Sequence, residues 1–239
     1  MSEIKNNIKI LFKFATRNRP KKFMSVLNEL CSRILDYENV TILVSIDDDD
    51  ILMNSEEIKN FISNHPQSNI IKLFSSNLKG KINATNRDIE HISDWDILMN
   101  IADDFEFPKE NIDVLIRNYM MEHYPDLDGV LHFPDGIQNK QLCTHPVMGR
   151  KYYDRFGFVF NPIYKSFYCD AELTQIAQKM NKITYIDDFI YLHKHYSLVN
   201  GQLSFGRENM DDLDIENEKF YSIDNLKYLI RQRNNFNII

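Results

Sequence analysis

Apolar residues in the first half of the chain fall into short, β-branched runs separated by segments of helical spacing. Residues 8–14, 40–46, 69–74 and 96–101 are such runs, and each reads as a strand. Behind Pro20, a residue suited to the first turn of a helix, Phe23, Val26, Leu27, Leu30 and Ile34 recur three to four positions apart. Residues 55–62 and 81–92 supply two further helices, 108–119 another, and 128–133 a fifth strand. Strand and helix therefore alternate, the signature of a doubly wound parallel sheet. The predicted class is α/β: a Rossmann-like, mostly parallel central sheet flanked by helices, in a single domain with a C-terminal helical tail.

The ends of the four apolar strands carry a second pattern. Each stops at polar residues: Thr16, Arg17 and Arg19, then Asp47, then Ser75 and Ser76, then Asp103 and Asp104. Right-handed crossovers bring the carboxyl ends of parallel strands to one rim, and open α/β sheets bind ligands in the crevice beyond it. These groups are expected to converge there. The second half is less regular. Residues 149–152 read as a short helical piece and 154–168 as an aromatic loop. Residues 170–180 read as a helix with Asp170 at its N-cap and Glu172 in its first turn. Short strands are expected at 183–186 and 189–192, just ahead of His193-Lys194-His195. The tail from residue 200 is polar and acidic, with an amphipathic piece near 221–233.

Composition narrows the functional classes. A length of 239 residues fits one large domain, or one domain with a long tail. The net charge of −7 argues against non-specific nucleic-acid binding, which needs a basic face. No window approaches the ~18 apolar residues of a membrane span. The N-terminus runs into the first strand without a small-residue cleavage site, so no signal peptide is expected. Cys31, Cys143 and Cys169 are odd in number and lack CxxC spacing, which predicts a reducing, cytoplasmic setting without disulfides or a zinc knuckle.

Asp103 and Asp104 are the sharpest chemical signal. Adjacent carboxylates repel, so a cation is expected beside them, and a hard divalent metal bridging phosphates suits the position. A solvated turn capping the next helix would look similar. Asp47 is placed to accept from a nucleoside, and Asp48, Asp49 and Asp50 are expected to be solvated. No calcium loop is present, because Leu52 or Met53 stands where its glycine belongs. Lys81, after Gly80 at a helix start, together with Arg17 and Arg19, suits a diphosphate. The glycines form neither a P-loop nor a dinucleotide fingerprint. Asp170 and Glu172 are helix-start residues or acid–base groups. His193 and His195 share one side of a strand and are metal ligands or a structural pair. Cys169 reads as packing.

In this order, the TRNRP loop, Asp47, the GK-x-N segment, Asp103-Asp104 as a DXD-type motif, CDAEL and HKH resemble a family 2-like glycosyltransferase of the GT-A fold. Residues 146–195 resemble the acceptor half of such enzymes, and the likeness runs from about residue 8 to 196. It implies a domain over 1–199, with a nucleotide half at 1–107 and an acceptor half at 108–199, and a tail at 200–239 that packs on it. It implies a nucleotide-sugar donor, UDP- or GDP-linked, and a saccharide or other hydroxyl acceptor. Thr16, Arg17 and Asp47 would hold the nucleoside and Lys81 the diphosphate, with Arg19 and Asn83 in the same nucleotide site. Asp103 and Asp104 would bind ribose and a Mn²⁺ or Mg²⁺ ion, and His193 or His195 would complete the metal shell. Asp170, with Glu172 as second choice, would take the acceptor proton in an inverting transfer. Two positions depart from the family: Phe105 stands where many relatives carry another acid, and CDAEL only approximates the usual Glu-Asp pair. Two other readings are a sugar-1-phosphate nucleotidyltransferase, disfavoured because ATRNRP has no glycine, and a non-catalytic sugar- or partner-binding module on the same fold.

Overall fold

The computed structural model describes residues 7–195, 198–199, 202–203 and 210–237. Residues 196–197, 200–201 and 204–209, which include the end of the resemblance and the start of the predicted tail, lie outside the described residues. Residues 10–101 contain β1 (Ile10–Ala15), α1 (Pro20–Ser32), β2 (Val40–Asp47), α2 (Glu56–Ser63), β3 (Ile71–Ser76), α3 (Lys81–Asn86) and β4 (Ile97–Ile101). There follow β5 (Phe105–Glu106), α4 (Ile112–His123), β6 (Val130–His132), β7 (Val147–Gly149), α5 (Arg150–Tyr153), α6 (Cys169–Lys179), β8 (Ile183–Tyr185) and β9 (Leu192–His193). Two helices end the chain, α7 (Asp212–Glu218) and α8 (Tyr221–Arg233).

Seven strands form one sheet in the order β3-β2-β1-β4-β7-β6-β8. The first four are parallel, β7 runs antiparallel to both of its neighbours, and β6 and β8 are again parallel. Both faces of β1 are buried, as its unbroken apolar run requires. Phe12, Phe14, Val44 and Met99 pack on one face with residues of α1, α2 and α4. Leu11, Leu43 and Leu98 pack on the other with Ile82 of α3 and Leu173 of α6.

The structure departs from the sequence pattern where backbone geometry intervenes. The helix expected over 81–92 stops at Asn86, because Arg87 is extended and Asp88 is left-handed (φ 69°). The helix expected from residue 108 begins at Ile112, behind a left-handed Asn111. Asp170 is not an N-cap: Tyr168 holds that place and α6 starts at Cys169, so Asp170 sits inside the first turn. Strands β5 and β7 went unread, since two or three buried residues carry no period. The strand expected over 189–192 is instead β9, paired with β5.

Helix α8 is tied down by buried charge. Asp224 is fully buried and accepts the backbone N–H groups of Lys165, Ser166 and Phe167. Arg231 forks onto Glu172 of α6 at 2.6 and 2.9 Å.

The junction of β7 with α5 allows no side chain. A Cβ at Gly149 would lie 2.2 Å from the Leu127 carbonyl oxygen, and that oxygen also accepts Tyr152 N–H. Gly149→Ala is expected to lower unfolding stability by about 1–3 kcal/mol, as forced overpacking does, read as a lower denaturant midpoint at unchanged slope.

Candidate active site

The rim beyond β1 and β4 is built around the two adjacent carboxylates. Asp103 is buried, and both of its oxygens are taken. Thr16 Oγ1 donates to Oδ2 at 2.7 Å and Arg19 Nη1 to Oδ1 at 3.1 Å. Burial pushes the Asp103 carboxyl up, and the Asp104 charge adds to this. Arg19 and Thr16 oppose both without cancelling them.

Asp104 is in a different position. Its Oδ1 is buried and makes no hydrogen bond. His193 Nε2 stands 3.2 Å away, close but not aligned for one. The β5–β9 pairing sets this distance: Phe105 pairs with His193, and Lys194 N–H donates to the Asp104 carbonyl at 2.7 Å. Burial would raise the Asp104 carboxyl, but His193, His145 and Arg19 outweigh it and hold the group below the ordinary carboxylate range.

Three imidazoles line this spot. The His145 ring lies 4.9 Å from that of His193 and 4.5 Å from Phe105, and its Nδ1 is 3.3 Å from Asn100 Nδ2. Burial, then the charge of His193, holds His145 well below its ordinary value. The His195 ring lies 5.2 Å from His193, just past the end of β9, and burial brings its pKa down to about 4. His145 was missed in the sequence. It precedes a three-residue strand and belongs to no motif, so only the tertiary pairing reveals it.

Asp47, at the end of β2, is held by two guanidinium groups. Arg17 Nη1 is 2.8 Å from Oδ2 and Arg87 Nη1 is 2.9 Å from Oδ1. Arg87, also missed, is buried and donates further to the Ile46 and Leu78 carbonyls and to Asp88. The network continues through Asp88 and Ser45 to Lys13, a fully buried lysine in the middle of β1. Burial brings the Lys13 amine down to about 7. Asp48 and Asp49 are exposed as expected, but Asp50 is buried, because it accepts Asn18 N–H and Met53 N–H and closes two turns.

Lys81 is exposed at the start of α3, and its ammonium makes no hydrogen bond or ion pair among the described residues. Its charge lowers the pKa of Asp170, His145 and His195. The Asp170 carboxylate accepts the adjacent Ala171 N–H, at 2.8 Å. Burial pushes its carboxyl up, against the pull of that N–H and of Lys81.

The other predicted residues point elsewhere. Glu172 is buried and fully bonded, to Asn161, Tyr164 and Arg231. Asn83 turns back to the Lys79 carbonyl. Arg19 carries Asp103 on one side and, on the other, Asp211 and Asp214 of the α7 start at 2.6–2.8 Å.

Among the described residues, no three His, Cys, Asp or Glu side chains converge tightly enough to hold an ion alone. The buried, unbonded Asp104 oxygen beside an imidazole nevertheless fits a hard divalent ion whose remaining ligands are phosphate oxygens and water.

No protein-family model and no curated protein matches the sequence. Solved structures do match. The mannosyltransferase PcManGT from Pyrobaculum calidifontis, in complex with GDP-Man and Mn²⁺, aligns with a TM-score of 0.65 at 12% identity, over 80% of this chain and 58% of its own. S. aureus TarS 1-349 in complex with UDP-GlcNAc aligns at 0.58 and 14% identity, over 77% of this chain and 58% of that one. The same protein in complex with UDP aligns at 0.58 and 16%, over 94% and 71%. The chain thus spans a little under three fifths of the mannosyltransferase it matches. Its fold is the GT-A fold of these glycosyltransferases.

Two expectations separate support from chemistry in this region. Glu172→Gln should cost about 3–5 kcal/mol of stability, because it breaks a buried ion pair, and should leave nucleotide affinity unchanged by titration calorimetry. For Lys13, the folded pKa lies below the unfolded 10.5, so the cost of burying it is full below pH about 7 and gone above 10.5. Wild type should therefore gain thermal stability relative to Lys13→Met as pH rises through that window.

Proposed function

We propose that the chain is a metal-dependent glycosyltransferase that moves a sugar from a UDP- or GDP-linked donor to an acceptor hydroxyl with inversion. The observation that carries this reading is the Asp104 Oδ1 atom, buried and without a hydrogen bond beside His193, at the strand-end rim. The GT-A fold, and the GDP-Man, Mn²⁺, UDP-GlcNAc and UDP bound by structural neighbours, support it.

Each residue then has a task. Asp47, oriented by Arg87, and Arg17 and Thr16 receive the nucleoside. Asp103 meets the ribose, held in place by Thr16 and Arg19. Asp104 and one of His193 and His195 hold the ion. Bound Mn²⁺ or Mg²⁺ supplies Lewis-acid neutralisation of the departing diphosphate. Lys81 adds charge on the same side. Asp170 removes the proton from the acceptor hydroxyl as its oxygen bonds to the anomeric carbon and the bond to the diphosphate breaks, the electron pair leaving with the diphosphate. A carboxyl raised by burial is the better base near neutral pH. Arg19 and Asn83 are spent on protein partners, so they act by positioning. The three cysteines are buried and unbridged, which fits the cytoplasm. Among the described residues no helix is long and apolar enough to cross a membrane.

A second reading, a nucleotide-sugar-binding module without turnover, draws on Arg17 and Arg19 being closed by carboxylates.

Donor hydrolysis and transfer, followed across UDP- and GDP-sugars with Mn²⁺, distinguish them. Asp104→Asn should lose about 100-fold or more in turnover, and EDTA should abolish it in wild type. Full activity in that variant would sink the metal assignment, and EDTA-insensitive UDP or GDP binding without turnover would favour the module. The acid limb of kcat should lie above the ordinary carboxyl range, because Asp170 works only when deprotonated and its pKa is raised. Asp170→Asn should remove that limb along with transfer while keeping donor affinity.

A further inference from the structure

Helix α8 has two unlike faces. One carries Asp224, Tyr228 and Arg231, all engaged with the domain. The other presents Ile223, Leu226 and Ile230 at helical spacing, with Leu229 beside them, at 52%, 59%, 50% and 42% exposure. Tyr221 is also half exposed, and so is Ile163, whose carbonyl accepts from Lys227. Single exposed leucines are ordinary, but a contiguous apolar stripe on a charged protein marks a contact surface.

The charge on this face selects the partner. The chain carries −7 overall, yet its exposed α8 face has no carboxylate, since the only acid of the helix is the buried Asp224. Lys219 and Arg233 flank the stripe in the open, while Lys227 at its edge is paired inward with Asp224 at 3.1 Å. A second copy docked through the same face would set Lys219 and Arg233 of each copy against each other with no acid on the face to pair them. An anionic partner pairs both. The stripe is a convex helix surface, and a bilayer interface receives such a surface without complementary shape.

We propose that α8 is an interfacial membrane helix. It lies on an anionic lipid surface with Ile223, Leu226, Leu229 and Ile230 in the acyl boundary and Lys219 and Arg233 among the headgroups. The preceding α7, with exposed Asp212 and Glu216, bounds the contact on its acidic side. The inference stands on exposure and charge, and it does not depend on the reaction assigned to the crevice.

Vesicle co-sedimentation of the full chain tests it, with phosphatidylcholine alone and with added phosphatidylglycerol. The protein should pellet with the anionic vesicles, less so as salt rises. Leu226→Glu/Ile230→Glu, at half-exposed positions that leave the fold intact by circular dichroism, should abolish pelleting. Lys219→Glu/Arg233→Glu should weaken it by about tenfold or more. Absence of pelleting with either vesicle overturns the proposal. So does a wild-type dimer in analytical ultracentrifugation that Leu226→Glu/Ile230→Glu dissociates, which would assign the face to a second copy.

Discussion

Two carboxylates on consecutive residues at the end of a buried strand repel each other, and the arrangement of the rim follows from how that repulsion is relieved. Asp103 is relieved from within the protein, by the Thr16 hydroxyl and the Arg19 guanidinium. Asp104 is relieved through charge rather than through hydrogen bonds: His193 Nε2 stands 3.2 Å from Oδ1, and His193, His145 and Arg19 together hold its carboxyl below the ordinary range. Its Oδ1 is nevertheless buried and without a hydrogen bond. One member of the pair is thus bonded within the protein and the other keeps an unbonded oxygen, a division that two identical residue types acquire entirely from their neighbours.

The same economy governs the rest of the rim. Asp47 is balanced by Arg17 and Arg87, and Arg87 also caps the end of β2 through the Ile46 carbonyl. Behind it, Asp88, Ser45 and Lys13 carry polar contacts into the middle of the sheet. The exposed Lys81 ammonium, by contrast, has no hydrogen bond or ion pair among the described residues. The other charges of the rim are thus largely balanced within the protein.

Much of this was legible in the chain. Parallel strands buried on both faces, as β1, β2 and β4 are, are written as continuous apolar runs; these and the edge strand β3 were read within two residues at either end, and their polar ends marked the rim. The antiparallel segment was not legible. Val147–Gly149 has three residues and no alternation, and its place between β4 and β6 is a tertiary fact. His145 and Arg87 escaped for the same reason, as their roles come from which strand or loop lies beside them. Glu172 looked like a candidate base because an acid in the first turn of a helix is ambiguous. Only its partner Arg231, 59 residues on, resolves it into an anchor. Asp50 read as solvated because a run of four acids hides which one folds back onto backbone N–H groups.

The contact between Arg19 and Asp211 spans 192 positions. During synthesis the first four strands can pair as soon as they emerge, but Arg19 is then bound on one side only, to Asp103. Its other side stays open until α7 has been made. The charge balance of the rim is therefore closed by a segment made long after the strands that carry it, and at this one side chain a residue among the first twenty is completed by residues among the last thirty.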